Sequence, residues 1–561
     1  MIIAFRLKQT ILGIDKILLT ALLLGFVLSL YGITVKYNNP DQMAFLPLFL
    51  EGKPPFNPGW FDKPPFHTYF NYFLSVLPLS SLGKAFGFSM QTEEILKTVW
   101  SRLLTKFMLV IAIGLLYYVS KKSYGVLSAR VIALIAATTA GFIVYSHFLT
   151  VDIPVMFWML VAFTFSHQIL FDRKLSSYLL AGFFTGIAAA TKYNGVAIGF
   201  SIAAAHILSY RIESWNAIPW KEIFLNKNLI AGLLMVLVGF IIGNPFAILD
   251  YPAFSSGFLY NYMVAPVYEG QTGYSFIRFF GRMVEIIGMP FFLLSVIAFL
   301  FALSALLFGR GEWKKRATTI LCLSVLIPYY IQFSMFPRLE TRFVLPIIPL
   351  WMLVSGLLWE KLHLYKVAFG LIGVSLIGYN LICSLYVGRR ILDDPRLRAE
   401  TWVKQNMPVG STVEKDIYSP TWMYMPEVQA KITVMPFVTG RERLFELRFP
   451  NNEFINGTAE DHLIAEKMIA WFSEAELTAR KPDYVVVNSL YYQRFIQPGI
   501  RRDLYPSMYA YFSSLLSEQL PYHIVFSQES QNVPAWVYPK EIDFTHNRVT
   551  ILVRNEIQVN Q

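Results

Sequence analysis

The chain repeatedly returns to apolar runs long enough to cross a bilayer, separated by short polar or basic stretches. The first, Ile17 to Val35, can span ~30 Å of hydrocarbon as a helix, and no small-residue cleavage site follows it, so it reads as a retained span. Further runs are Leu103 to Val119, Val126 to Tyr145, Ile153 to Leu170, Ser176 to Ala190, Gly195 to Leu208, Leu229 to Ile242, Val284 to Leu307, Thr318 to Phe336, Phe343 to Leu358 and Val367 to Leu385. Together they predict a polytopic α-helical membrane protein of about eleven spans. With 55% hydrophobic and only 15% charged residues in 561, the chain is too apolar for an ordinary soluble protein.

Basic residues set the expected orientation. If Arg6, Lys8 and Lys16 are cytoplasmic, then Lys121 and Lys122, Arg173 and Lys174, the Arg211 to Lys227 loop, Arg310 with Lys314 to Arg316, and Lys361 with Lys366 all fall inside. The net charge of +11 partly reflects this orientation and the anionic inner leaflet, and is no argument for nucleic acid. Outside lie the long 36–102 loop and the ends of four later connections. Asp41, Asp62, Lys63, Asp152, Lys192, Arg278, Arg282, Arg338 and Arg342 therefore meet one membrane face from five separate loops.

Composition changes near Arg389. The membrane domain is expected over 1–388, and 389–561 reads as an extracytoplasmic soluble α/β domain, with a helix-like TWVKQNMPVGS opening and a strand-like PDYVVVNS run. Cys322 and Cys383, the only cysteines, lie in apolar runs and suit packing. His67, His147 and His167 fall in different segments, which argues against a zinc site.

The stretch NNPDQMAFLPLF, Asn38 to Phe49, places Asp41 directly beyond the first span, and NPGWFDKPPFHTYF adds Asp62 and Lys63 among prolines and aromatic residues. Such aromatics suit a segment lying in the membrane interface. A carboxylate there can accept the proton of an attacking hydroxyl, while Lys or Arg stabilises a departing lipid phosphate.

These two stretches, with SHFLTVDIPVMFW at Ser146 to Trp158, TKYNG at Thr191 to Gly195 and RLETRFVLPIIPLW at Arg338 to Trp351, resemble in order the glycosyltransferase-C superfamily. The branch they resemble holds the protein O-mannosyltransferases and lipid A aminoarabinose transferases. The resemblance implies a polyprenyl-phosphate sugar donor, an outward-facing cavity and inversion at the anomeric carbon. It places Asp41, Asp152 and Asp62 as candidate catalytic acids, and Lys63, Lys192, Arg338 and Arg342 as candidate partners of the donor phosphate. Trp60, Phe61, Tyr69, Arg278 and Arg282 are candidate lipid or sugar contacts. Gln42 stands where the family often has a second acid, so no paired-acid metal motif is formed; neither a metal nor another cofactor is predicted.

Simpler roles remain open for the same residues. Asp41 after Pro40, and Asp152 before Pro154, both suit helix caps. Lys63 and Lys192 can snorkel. Arg338, Glu340 and Arg342 can form a surface ion cluster, and Arg278 and Arg282 share one helix face and suit headgroup anchoring. The expectation is an inverting glycosyltransferase of the cytoplasmic membrane, moving sugar from a lipid phosphate to a hydroxyl acceptor at the outer face. A lipid or polysaccharide transporter is the alternative, although transporters place their charges near the bilayer midplane between repeated halves.

Overall fold

A computed structural model describes residues 15–37, 48–210, 220–263, 273–309, 312–438, 443, 447, 459–531, 534, 536–539 and 547–557. Asp41 lies outside the described residues. Among the described residues, seven helices are long and apolar enough to cross a membrane, or eight if a pair bent by 49° counts as one span. Shorter apolar helices cover Lys16–Ser29, Leu175–Thr191 and Tyr193–Ser209. Backbone N–H and C=O groups find no water in hydrocarbon, which is why runs of this kind close their hydrogen bonds within helices.

Helix α1 (Lys16–Ser29) begins at Asp15, whose side chain caps the backbone of Ile17 and Leu18 and pairs with Arg130 at 2.8 Å. A short helix, α2 (Phe66–Asn71), follows the KPP stretch, and α3 (Met90–Tyr124) carries the chain across. The next run is divided into α4 (Val126–Thr138) and α5 (Ala140–His147). Its bend has a local cause: the Thr138 and Thr139 hydroxyls bond back to the carbonyls of Leu134 and Ile135, at 2.8 and 2.7 Å. The Thr138 carbonyl freed there accepts the Ser384 hydroxyl.

Helices α6 (Asp152–Asp172), α7 (Leu175–Thr191), α8 (Phe200–Ser209) and α9 (Lys227–Gly243) form the part that positions the site. Close backbone approach holds α7 to α9. A β-carbon on Gly182 or Gly186 would strike the carbonyls of Gly232 and Val236, and one on Gly239 would strike that of Phe183. Small residues permit this approach where lipid offers no hydrophobic drive for association. The opposite side of α9 exposes Leu233, Leu234, Leu237, Ile241 and Ile242, the apolar surface expected to meet lipid.

The expected run from Val284 to Leu307 is not one helix. It divides at Gly288 into α10 (Phe276–Ile287) and α11 (Met289–Leu307). Gly288 adopts φ 75°, and Pro290, in the first turn of α11, has no N–H to continue the preceding helix. Helix α12 (Trp313–Ser334), a broken helical run through Thr341–Leu362 and α13 (Lys366–Leu392) complete the bundle.

Beyond α13, helix α14 (Pro395–Asn406) leads into a five-stranded mixed sheet. Its strands are β1 (Thr412–Lys415), β2 (Lys431–Val434), β3 (Tyr484–Asn488), β4 (Tyr522–Glu529) and β5 (Arg548–Arg554), in the order β2-β1-β3-β5-β4. The PDYVVVNS run supplies β3 at the centre. Val485 and Val487 face one apolar cluster while Tyr484 and Val486 face the other, which explains a strand buried on both sides. The sheet-containing part is tied to the bundle. Tyr538 packs over Gly288 and donates its hydroxyl to Asn380 at 2.7 Å, and Glu400 on α14 accepts from both Lys36 and Tyr37 at the root of the first loop.

Gly239→Val should cost about 1–3 kcal/mol through overpacking, and so lower the thermal midpoint of the detergent-purified protein. Gly370→Val, where an added β-carbon meets open space, should leave the midpoint nearly unchanged. Equal midpoints for the two variants would contradict the role given to the α7–α9 contact.

Candidate active site

Asp152 is the first residue of α6 and Lys192 caps the C-terminal end of α7, so two antiparallel helices bring opposite charges together at one face of the bundle. Lys192 Nζ lies 2.8 Å from Asp152 Oδ1, and the Thr150 hydroxyl donates to Oδ2 at 2.8 Å. The Asp152 side chain is 2% exposed and that of Lys192 13%, so the pair is largely desolvated. A lone charge at this depth would be costly, and mutual pairing with the added hydroxyl bond is what makes it tenable.

A second charged cluster closes on the same place. Arg338 and Arg342 both donate to Glu340, one to each carboxylate oxygen. The Phe343 ring is the shared floor: Lys192 Nζ lies 5.0 Å from its centroid, and the Arg338 and Arg342 guanidinium carbons lie 5.7 and 5.9 Å away. A ring quadrupole attracts cations at such distances. Three cations from two distant segments therefore gather round one aromatic ring. Tyr329 on α12 fixes the segment behind it, donating to the Phe343 carbonyl at 2.6 Å while accepting from Asn194 at 2.6 Å.

The first loop reaches this cluster. Asp62 and Lys63 are half-buried; the Asp62 carbonyl accepts from Asn261, and its carboxylate stands near the Tyr193 phenol. Tyr193 in turn donates to the Phe61 carbonyl at 2.7 Å. Phe61 is buried against Phe254 and Gly257, Tyr69 donates to the Phe56 carbonyl at 2.9 Å, and Trp60 is exposed. Just before the undescribed 38–47 stretch, Arg102 donates to the carbonyls of Ile33, Val35 and Tyr37, gripping the chain that leads to Asp41.

The two arginines of α10 do different things. Arg282 donates to the Leu339 carbonyl at 3.0 Å and so holds the Arg338–Arg342 segment from behind, whereas Arg278 donates to the Tyr274 carbonyl at 3.3 Å within its own region. The three histidines stay apart. His67 stands near Asp152, His147 near Arg102, and His167 bonds to Ser123 and Thr318. Among the described residues no group of three His, Cys, Asp or Glu side chains is placed to hold a metal ion.

Tyr329, Asn194 and Phe343 join the site without having been singled out from the sequence, whereas Glu340 pairs with both arginines as the ion-cluster alternative expected. Glu340 had a local signal, a carboxylate two residues from each of two arginines. The Tyr329–Asn194 bridge had none, because it joins segments far apart in the chain. An apolar cavity of about 660 Å³ is lined by Phe66, the neighbour of His67, with Tyr69, Phe70, Phe73, Ile242 and Pro245, among others.

Residues 96–242 match the family described as dolichyl-phosphate-mannose-protein mannosyltransferase. The match includes Asp152 and Lys192 and ends before Arg338 and Arg342. Among solved structures, ArnT from Cupriavidus metallidurans in the apo state is similar at a TM-score of 0.50 and 12% identity, over 94% of this chain and 97% of that one. The chain shares the fold of this ArnT structure. ArnT from the same organism bound to undecaprenyl phosphate matches at a TM-score of 0.49 and 13% identity, covering 96% and 97% of the two chains. The oligosaccharyltransferase AglB from Archaeoglobus fulgidus, in complex with an inhibitory peptide and a dolichol-phosphate, matches at 0.45 and 13%, covering 96% and 88%. A search of curated protein sequences gave no match.

Within this fold the Asp152–Lys192 pair is open to a direct energetic test. Asp152→Ala should destabilise the protein by about 3–5 kcal/mol, because it leaves a buried ammonium without its partner. The Asp152→Ala/Lys192→Ala double variant should lose less than the sum of the two single losses. Additive losses in thermal unfolding would show that the two charges are not coupled.

Proposed function

We propose that this protein is an inverting glycosyltransferase that moves a sugar from a polyprenyl phosphate to a hydroxyl acceptor. The observation that carries the reading is the convergence of Lys192, Arg338 and Arg342 round Phe343, beside Asp152, in a glycosyltransferase-C fold. Arginine matches phosphate geometry through its planar fork and lysine acts as a point charge, so the set suits a phosphate monoester or diester. The apolar cavity suits an isoprenoid chain, and in two similar structures the bound lipid is undecaprenyl phosphate or dolichol-phosphate.

The step is a single displacement. Asp41 accepts the proton of the acceptor hydroxyl as that oxygen attacks the anomeric carbon. The bond between that carbon and the phosphate oxygen breaks, and the lipid phosphate departs with the electron pair against the cations. Asp152, already bonded to Thr150 and Lys192, suits holding the lysine in place better than taking a proton. Asp62, near the Tyr193 that follows Lys192, brings the first loop towards the same centre, and Arg282 supports the arginine segment. The site faces outward from the cytoplasmic membrane, with the sheet-containing domain on the same side; the excess of Lys and Arg on the opposite loops supports this orientation.

Purified protein given a radiolabelled polyprenyl-phosphate sugar should transfer or hydrolyse it, whereas binding without bond cleavage would defeat the proposal. Asp41→Asn should retain donor binding and lose transfer by ~10²- to 10⁴-fold, the usual worth of a general base; normal turnover by this variant would remove Asp41 from the mechanism. Lys192→Ala should weaken donor binding as well as turnover, because a phosphate partner acts on the ground state too. A cysteine at Lys315 should be labelled only from the cytoplasm and one at Glu460 by an impermeant reagent from outside. Labelling of Glu460 from the cytoplasm alone would reverse the orientation.

A further inference from the structure

Among the described residues, several neutral polar atoms around the Asp152–Lys192 pair are buried without a hydrogen-bond partner. They are both imidazole nitrogens of His67, both amide atoms of Asn244 and Oδ1 of Asn194. His67 is 4% exposed and Asn244 is fully buried. Native interiors rarely leave buried polar atoms unmet, and a cluster of them beside a reaction centre points to a ligand that meets them.

The fold explains why they share one place. Helices α7 and α9 run parallel: Gly182 meets Gly232, Gly186 meets Gly239 and Ala190 meets Gly243. Lys192 and Asn244, which cap these two helices, therefore leave them at the same level. Gly243 also stands against Phe66, the residue before His67, and His67 stands near the Asp152 carboxylate. Asn194, two residues beyond Lys192, spends its amide nitrogen on Tyr329 and keeps its oxygen.

Their chemistry differs from that of the cations. Burial pushes the His67 imidazole down to about 4, against the opposing pull of Asp152, so at neutral pH the ring is uncharged with one donor and one acceptor nitrogen. Asn244 offers both a donor and an acceptor, and Asn194 offers an acceptor. An uncharged set of mixed donors and acceptors matches hydroxyl groups, each of which both gives and takes a hydrogen bond. Resting on the lipid-phosphate reading above, we infer that His67, Asn194 and Asn244 bind hydroxyls of an uncharged donor sugar and set its identity, while Lys192, Arg338 and Arg342 hold the phosphate. A site built to bond a particular hydroxyl discriminates strongly against analogues that misplace it, because its own polar atoms are then left unmet.

The test uses the full-length protein in lipid nanodiscs, titrated with undecaprenyl phosphate and with the same lipid carrying glucose, mannose, galactose or arabinose. One of the glycosylated lipids should bind more tightly than the bare phosphate. His67→Gln and Asn244→Ala should each weaken that lipid by ~5- to 10-fold, about one hydrogen bond, and leave affinity for the bare lipid unchanged. The unchanged affinity also reports that the variants are folded. If the parent does not bind the bare lipid phosphate, the lipid-phosphate reading fails and takes this inference with it. If the bare lipid binds but no sugar is preferred, or if the variants keep the preference, the inference alone fails. Equal loss of bare and glycosylated lipid by both variants would make these residues supports of the fold and would likewise overturn it.

Discussion

The desolvated ion pair between Asp152 and Lys192 sets the terms for the rest of this structure. Removing two charges from water costs several kcal/mol per ion, and their attraction repays that only with close geometry and additional hydrogen bonds. The geometry comes from two helix ends, one beginning at Asp152 and one finishing just before Lys192, and the extra bond comes from Thr150. Such a pair contributes little net stability relative to a packed apolar core. What it provides is a lysine fixed in position beside two arginines that would otherwise repel it. Glu340 does the same for Arg338 and Arg342. Carboxylates from within the chain thus hold a cation cluster together before any anion arrives.

That arrangement depends on packing at some distance from it. The glycine contacts between α7 and α9 bring their C-terminal ends level, and Tyr329 ties the Phe343 segment to Asn194 across the bundle. Arg282 holds the Leu339 carbonyl, so the segment bearing both arginines is fixed from a third helix. The first loop is secured at its root by Arg102 and by Glu400 of the sheet-containing part. The two parts of the chain therefore meet where the loop carrying Asp41 begins.

Much of this was legible in the sequence because hydrocarbon leaves a chain few choices. Long apolar runs mark helices, and charges abutting their ends mark a face; Asp152, Lys192 and Arg342 could be singled out on those grounds together with the family resemblance. PDYVVVNS announced the central strand through its unbroken apolar core. Other features depend on tertiary contact and left no local trace. Phe343 looks like one more aromatic residue until three cations are found around it, and His67 and Asn244 are ordinary polar residues until their burial is known. The break at Gly288 was written locally, in a glycine followed by Met289-Pro290, yet hydropathy alone carries the run across it. A window that averages apolarity does not register backbone conformation.

The most direct test of the account is a cryo-electron-microscopy structure of the protein with undecaprenyl phosphate bound. The phosphate should lie within hydrogen-bonding distance of Lys192 and of at least one of Arg338 and Arg342, beside the Phe343 ring, with the isoprenoid chain in the apolar cavity. A phosphate bound elsewhere, with Lys192 still closed on Asp152 and both arginines still closed on Glu340, would make the cluster a structural ion network and contradict its role as the donor site.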